Sequence, residues 1–226
     1  MKLAPLLAVL LAAPALADGP SCTAYGTKAC WYASGGVGAP SLLVYFRGHW
    51  NYTGTQVPPA DAGTLPVRLR LDAARKAFKD YDLYKLAYDQ NLLVIATGSS
   101  DVVITEDDIA AIVKESGITP SKRVLAAHSG GYVGLQGSLK VLGPVDRIVM
   151  LDNFYFGADL AQLVKARLDA NTQCAGFYTP HNAKRVKDNF LPVVGRSCPL
   201  DSYGAAEHES RVGACLPSYT THFGCL

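Results

Sequence analysis

Short apolar runs alternate along the chain with longer amphipathic stretches. The segments SLLVYFRG (41–48), NLLVIATG (91–98), RVLAAHS (123–129), RIVMLDN (147–153) and CAGFYTP (174–180) have the length and the branched or aromatic content of strands buried on both faces. Between them, apolar residues recur at helical spacing over about 66–80, 106–116, 131–142 and 158–170. The second of these opens on TEDD, where Thr105 suits a cap and the acids suit the positive end of a helix, and Gly117 and Pro120 close it. Strand and helix in alternation predict an α/β fold, a mostly parallel central sheet with helices on both faces. Ligands in such sheets bind at the carboxyl ends of the strands. The Gly- and Pro-rich pieces 34–40 and 54–66 read as loops, because the alternation resumes after them. After residue 180 the pattern fades, and RVGACLPSY (211–219) is a faint candidate for a final strand.

The first residues change the cellular picture. Lys2 precedes an apolar run, Leu3 to Leu16, that ends in small residues at Ala15 and Ala17. The run is too short to span a bilayer and predicts a signal peptide over 1–17, leaving 18–226 as a single domain of 226 − 17 = 209 residues. No later run suggests stable membrane insertion. The formal charge of +2 falls to +1 without Lys2, which argues against nucleic acid as a partner. All six cysteines, Cys22, Cys30, Cys174, Cys198, Cys215 and Cys225, follow the predicted cleavage point. They lack a Cys-x-x-Cys pair and favour disulfides over metal, with localisation secreted or periplasmic. Cys22 is expected to pair with Cys30, and the other four to staple the C-terminal third.

Candidate chemistry sits where the apolar runs stop. The run 123–129 ends in Ala127-His128-Ser129-Gly130-Gly131. A sharp strand-to-helix turn around Ser129 needs small residues two places either side, which Ala127 and Gly131 supply. Ser129 is thus a candidate nucleophile; the alternative is a helix cap. A nucleophilic serine requires an imidazole to take its proton and a carboxylate to orient that imidazole. Asp152 ends the next run, 152 − 129 = 23 residues on, and is the candidate acid; its alternative role is to cap a turn. For the base, His222 in SYTTHFGCL is expected, in a short loop that Cys225 can anchor, with His208 between Glu207 and Glu209 as the other candidate or a solvated surface turn. Glu207, His208 and Glu209 are a poor zinc set, since adjacent residues rarely converge on one ion. His49 and His128 are expected to line the site. Two backbone N–H groups must face the developing oxyanion, and those of Gly130 and of His49, after the turn at Gly48, are the candidates.

With LLVYFRGH, AAHSGGY, MLDNFY and the late His222, the chain resembles the α/β-hydrolase superfamily over nearly all of 41–226. The Ala-His-Ser-x-Gly elbow is similar to that of small secreted bacterial lipases and esterases, and the short chain to minimal, lidless members such as cutinases. Arg47-Gly48 stands where the family usually has His-Gly, and the acid follows the strand next to the elbow, one earlier than is common. The resemblance implies a serine hydrolase needing no cofactor and no metal. Its substrate would be a small-molecule or polymeric carboxylic ester, cleaved through an acyl-enzyme by Ser129, His222 and Asp152. Trp50, Tyr52, Tyr132, Phe154 and Tyr155 are expected to flank the site as an apolar wall. An amidase or cell-wall peptidase with the same triad, or a binding module of the same fold with an inert serine, are the alternatives.

Overall fold

In a computed structural model of the chain, residues 20–35, 40–48, 67–155, 158–222 and 224–225 are described. The predicted signal peptide, residues 1–17, lies outside them, as do His49, Trp50 and Tyr52. The strands are β1 (Thr23–Tyr25), β2 (Ala29–Ala33), β3 (Ser41–Phe46), β4 (Leu92–Thr97), β5 (Lys122–His128), β6 (Arg147–Leu151), β7 (Gln173–Tyr178) and β8 (Leu200–Ser202). They form one sheet in the order β1-β2-β4-β3-β5-β6-β7-β8. From β4 to β8 every pairing is parallel; β1 and β2 add an antiparallel hairpin at one edge. The helices are α1 (Val67–Asp80), α2 (Leu83–Gln90), α3 (Glu106–Ser116), α4 (Tyr132–Val141), α5 (Ala158–Asp169), α6 (Pro180–Arg185), α7 (Leu191–Val194) and α8 (Ser210–Tyr219).

The continuous apolar runs follow from burial of both sheet faces. In β3, Leu42, Val44 and Phe46 pack on one side with Ile109 and Ile112 of α3, Leu135 and Leu139 of α4 and Leu160 of α5. Leu43 and Tyr45 point the other way, toward Ala74 and Phe78 of α1, Leu83 of α2 and Leu216 of α8. Successive strand side chains alternate between faces, so a strand covered on both sides shows no polar alternation. The cap expected at Thr105 forms: its hydroxyl accepts from the Asp108 N–H at 3.2 Å, and the Asp108 carboxylate accepts from the Thr105 N–H at 2.9 Å. Gly117 ends α3 at φ 70°, in the left-handed region that glycine enters without strain.

Two expectations need correction. Residues 211–219 belong to a helix, α8, because Val212, Cys215, Leu216 and Tyr219 are buried at i, i+3, i+4 and i+7. The last strand is β8, only three residues long, laid parallel beside β7. Cys22 and Cys30 are buried free thiols. Cys30 stands opposite Ala24 in the ladder, a diagonal step from Cys22, and its Sγ lies 3.9 Å from the Leu71 carbonyl oxygen. The other four cysteines staple the C-terminal third as expected, Cys174 to Cys198 and Cys215 to Cys225. Among the described residues, no helix is long and apolar enough to cross a membrane.

Candidate active site

The site is built where β5 and β6 end. His128 pairs with Leu151 in the parallel ladder, so the next residues, Ser129 and Asp152, leave the sheet side by side. Both have left-handed backbones, Ser129 at φ 49° and Asp152 at φ 45°. A non-glycine residue there is strained, and the surrounding packing must hold it. At Ser129 the chain turns through a short 3₁₀ segment, Ser129–Gly131, into α4. The expected need for a small residue at 131 has a steric origin: a Cβ on Gly131 would lie 2.2 Å from the Phe46 carbonyl oxygen. Gly48 meets the same turn from the β3 side, and a Cβ there would lie 2.9 Å from the Ser129 Cβ and 3.4 Å from its Oγ. Glycine at 48 therefore keeps the space over the serine hydroxyl open. Arg47, which replaces the usual histidine, is buried and turned away; its Nη1 donates to the Ala73 carbonyl of α1 at 2.8 Å.

Asp152 is enclosed by donors. Its Oδ1 accepts from the Thr179 N–H at 2.9 Å and from Asn182 Nδ2 at 2.8 Å, and its Oδ2 accepts from the Thr179 hydroxyl at 2.7 Å. His208 Nδ1 lies 2.6 Å from that same Oδ2. Burial alone would raise this carboxyl, yet the hydrogen bonds from His208, Thr179 and Asn182 outweigh it and bring its pKa down to about 2. Asp152 is therefore ionised and accepts the Nδ1–H of His208, which leaves Nε2 as the ring nitrogen turned away from the acid. His208 is one-quarter exposed; a buried acid holds its Nδ1, and its Nε2 lies 3.9 Å from Glu209 Oε1.

The structure brings His208, and not the expected His222, to Asp152. Arg147, the first residue of β6, donates from Nη1 to the carbonyls of Tyr219 at 2.9 Å and His222 at 2.7 Å. That is the amino end of a strand whose carboxyl end leads to Asp152, roughly 16 Å away at 3.3 Å per residue. His222 is exposed, and its Nδ1 lies 2.7 Å from the Thr221 hydroxyl. The disulfide Cys215–Cys225 does anchor the loop, but at the wrong end of the sheet. Two signals pointed to His208. The helical stripe of α8 carries the chain from one sheet end to the other, and Glu207 caps the turn that presents His208, accepting from the Gly204 N–H at 2.6 Å.

Beside Asp152 and His208 lies a second polar layer. His128 is fully buried, its ring centroid 4.7 Å from that of His208. Tyr81 donates its hydroxyl to Glu209 Oε2 at 2.7 Å and lies 3.4 Å from His128 Nδ1. Burial, opposed only partly by the Glu209 charge, brings the His128 pKa down to about 4, so this imidazole is neutral at ordinary pH.

The expected aromatic wall is only partly present. Phe154 is buried against Phe190, ring centroids 5.1 Å apart, and serves packing. Tyr132 is partly buried and packs against the same core. Tyr155 does face the site: burial and the Asp152 charge raise its phenol pKa, against hydrogen bonds from Asn182 and Ser129. The Arg185 guanidinium lies 5.6 Å from its ring centre. Gly130 is buried directly after the serine at the start of the turn; the expected second donor, His49, lies outside the described residues.

This sheet order, with a strained serine between β5 and α4, is that of the α/β-hydrolase fold. The MPT51 protein of Mycobacterium tuberculosis has a similar structure, with a TM-score of 0.58 at 9% identity over 92% of this chain and 98% of that one. So does LpqC, a poly(3-hydroxybutyrate) depolymerase from Bordetella parapertussis, with a TM-score of 0.53 at 11% identity over 85% and 84% of the two chains. No family model and no curated protein matches the chain in sequence.

Proposed function

We propose that the protein is a secreted serine hydrolase that cleaves carboxylic esters through an acyl-enzyme, with Ser129 as nucleophile, His208 as general base and Asp152 as its orienting acid. The observation that carries this reading is the 2.6 Å contact between His208 Nδ1 and the buried Asp152, beside a serine held at φ 49°. Structure for its own sake has no use for a strained serine next to an ionised acid and a partly exposed imidazole.

In the reaction, Ser129 Oγ attacks the ester carbonyl carbon as its proton passes to His208 Nε2. Asp152 balances the imidazolium across Nδ1. The carbonyl electron pair moves onto oxygen, which the Gly130 N–H and a second N–H from the segment after Gly48, with His49 the candidate, receive. Collapse expels the alcohol, protonated by His208. Water, deprotonated by the same nitrogen, then releases the acid and restores Ser129. No step calls for a metal or an organic cofactor. The choice of ester over amide is supported by LpqC, a poly(3-hydroxybutyrate) depolymerase with the same fold. Export agrees with the two disulfides and with the apolar run at 3–16.

A fluorophosphonate probe should label the purified, oxidised protein at Ser129, and Ser129→Ala should abolish labelling. An unlabelled folded protein would leave only a binding module. Assay of p-nitrophenyl esters beside peptide amides should give turnover of the esters; turnover confined to amides would reverse the assignment.

A further inference from the structure

We propose that His128, His208 and Glu209 form a site for one divalent transition-metal ion, Zn²⁺ or one of similar softness, and that an ion held there switches the hydrolytic site off. The switching half rests on the function proposed above; the binding half does not.

One donor atom from each of the three side chains lies within 4.8 Å of the others. Two imidazoles and a carboxylate are a donor set that zinc accepts with a fourth position left for water. At bond lengths of about 2.0–2.1 Å, tetrahedral donors stand about 3.4 Å apart, so the side chains must draw in by roughly an ångström. His208 and Glu209 are one-quarter and two-fifths exposed, which gives them room to move and the ion a way in.

The surroundings are those that hold ligands in place. Asp152 fixes His208 through Nδ1 at 2.6 Å, so Nε2 is the coordinating nitrogen, in the carboxylate–histidine–metal arrangement. Glu209 Oε1 lies 3.9 Å from that Nε2, while Oε2 takes the Tyr81 hydroxyl at 2.7 Å. The independent sign of a ligand is His128. Its ring is wholly buried, its Nδ1 lies 4.0 Å from Glu209 Oε2, and its Nε2 has no hydrogen-bond partner among the described residues. A buried nitrogen without a partner is destabilising, and a metal ion is one way to satisfy the imidazole. The earlier objection to Glu207-His208-Glu209 does not apply, because the third ligand comes from the elbow, far away in sequence.

The consequence is a competition for one lone pair. The Nε2 electrons that must accept the Ser129 proton are those that bind the ion, so a chain carrying metal has no general base.

Equilibrium dialysis of the oxidised protein against Zn²⁺ should give one ion per chain, and Co²⁺ in its place should show the visible bands of four-coordinate cobalt. Ser129→Ala lies outside the ligand set and should bind equally well. Glu209→Gln and His208→Gln should each weaken binding by about tenfold or more. No binding, or affinity unchanged in both variants, overturns the site. In the second arm, Zn²⁺ should suppress fluorophosphonate labelling of the unmodified chain in step with occupancy, and a chelator should restore it. Metal bound with labelling undiminished overturns the switch. A chain that never labels, with or without metal, sinks the hydrolase reading, and dialysis still decides the metal site.

Discussion

The two ends of the sheet each carry a histidine on the final stretch of the chain, and the two differ in everything that surrounds them. His208 stands at the carboxyl end, its Nδ1 on an acid that four side-chain and backbone donors enclose. His222 stands at the amino end, exposed, its backbone carbonyl held by Arg147 and its ring beside the hydroxyl of the neighbouring Thr221. They are 222 − 208 = 14 residues apart, and the ten-residue helix α8 spans the distance between them, about 15 Å at 1.5 Å per residue. The amino end is tied down by ordinary means, a disulfide and a buried arginine satisfying carbonyls. The carboxyl end holds two residues at positive φ, a buried carboxylate and a buried imidazole. Strain and buried charge have a cost, and a fold keeps them where chemistry needs them.

The sharpest way to break this contrast is to exchange the histidines' fates by mutation. His208→Ala should lower ester turnover by about five to six orders of magnitude, as should Ser129→Ala, whereas His222→Ala should stay within about twofold. A large loss in the His222 variant with His208→Ala still active would reverse the roles of the two ends. Asp152→Asn should cost roughly 10⁴-fold in turnover, because the amide favours the wrong tautomer of His208. Steady-state kinetics on a soluble ester measure all four.

Smaller effects test the steric and electrostatic supports. Gly131→Ala forces a methyl into the Phe46 carbonyl, and thermal or urea unfolding should show a loss of about 1–3 kcal/mol, with turnover falling as the elbow relaxes. Acid should weaken the fold in two steps. The folded His128 takes its proton only near pH 4, while the unfolded chain takes it near 6.5, so stability present above 6.5 is lost as pH falls toward 4. Asp152 behaves likewise lower down: stability present above its ordinary pKa of 3.8 is lost as pH falls toward 2. Urea midpoints between pH 7 and 4 should fall in the unmodified protein by an amount worth about 2–3 kcal/mol, and His128→Gln should flatten that slope. A slope unchanged by the substitution would place the titrating group elsewhere.

Much of this was legible along the chain. The apolar runs located β3 to β7 within a residue or two, since burial on both faces writes itself as unbroken hydrophobic sequence. Ser129 and Asp152 were readable because each terminates such a run, and a strand end is a fixed place. The hairpin β1–β2 and the three-residue β8 were not, because they are short and draw their order from a sheet already built. The period of Val212, Cys215, Leu216 and Tyr219 announced a helix, and reading it as a strand hid the return of the chain to the active end.

By itself, then, the order of residues determined an α/β sheet and placed a serine and an acid at neighbouring strand ends. Which histidine joins them was decided only in three dimensions. Each candidate has polar neighbours and a late position, and sequence distance carries no information about direction across the sheet. The packing of α8 against Val149, Leu151 and Phe177 supplies that direction, and with it one imidazole comes to the acid and the other is left at the far end.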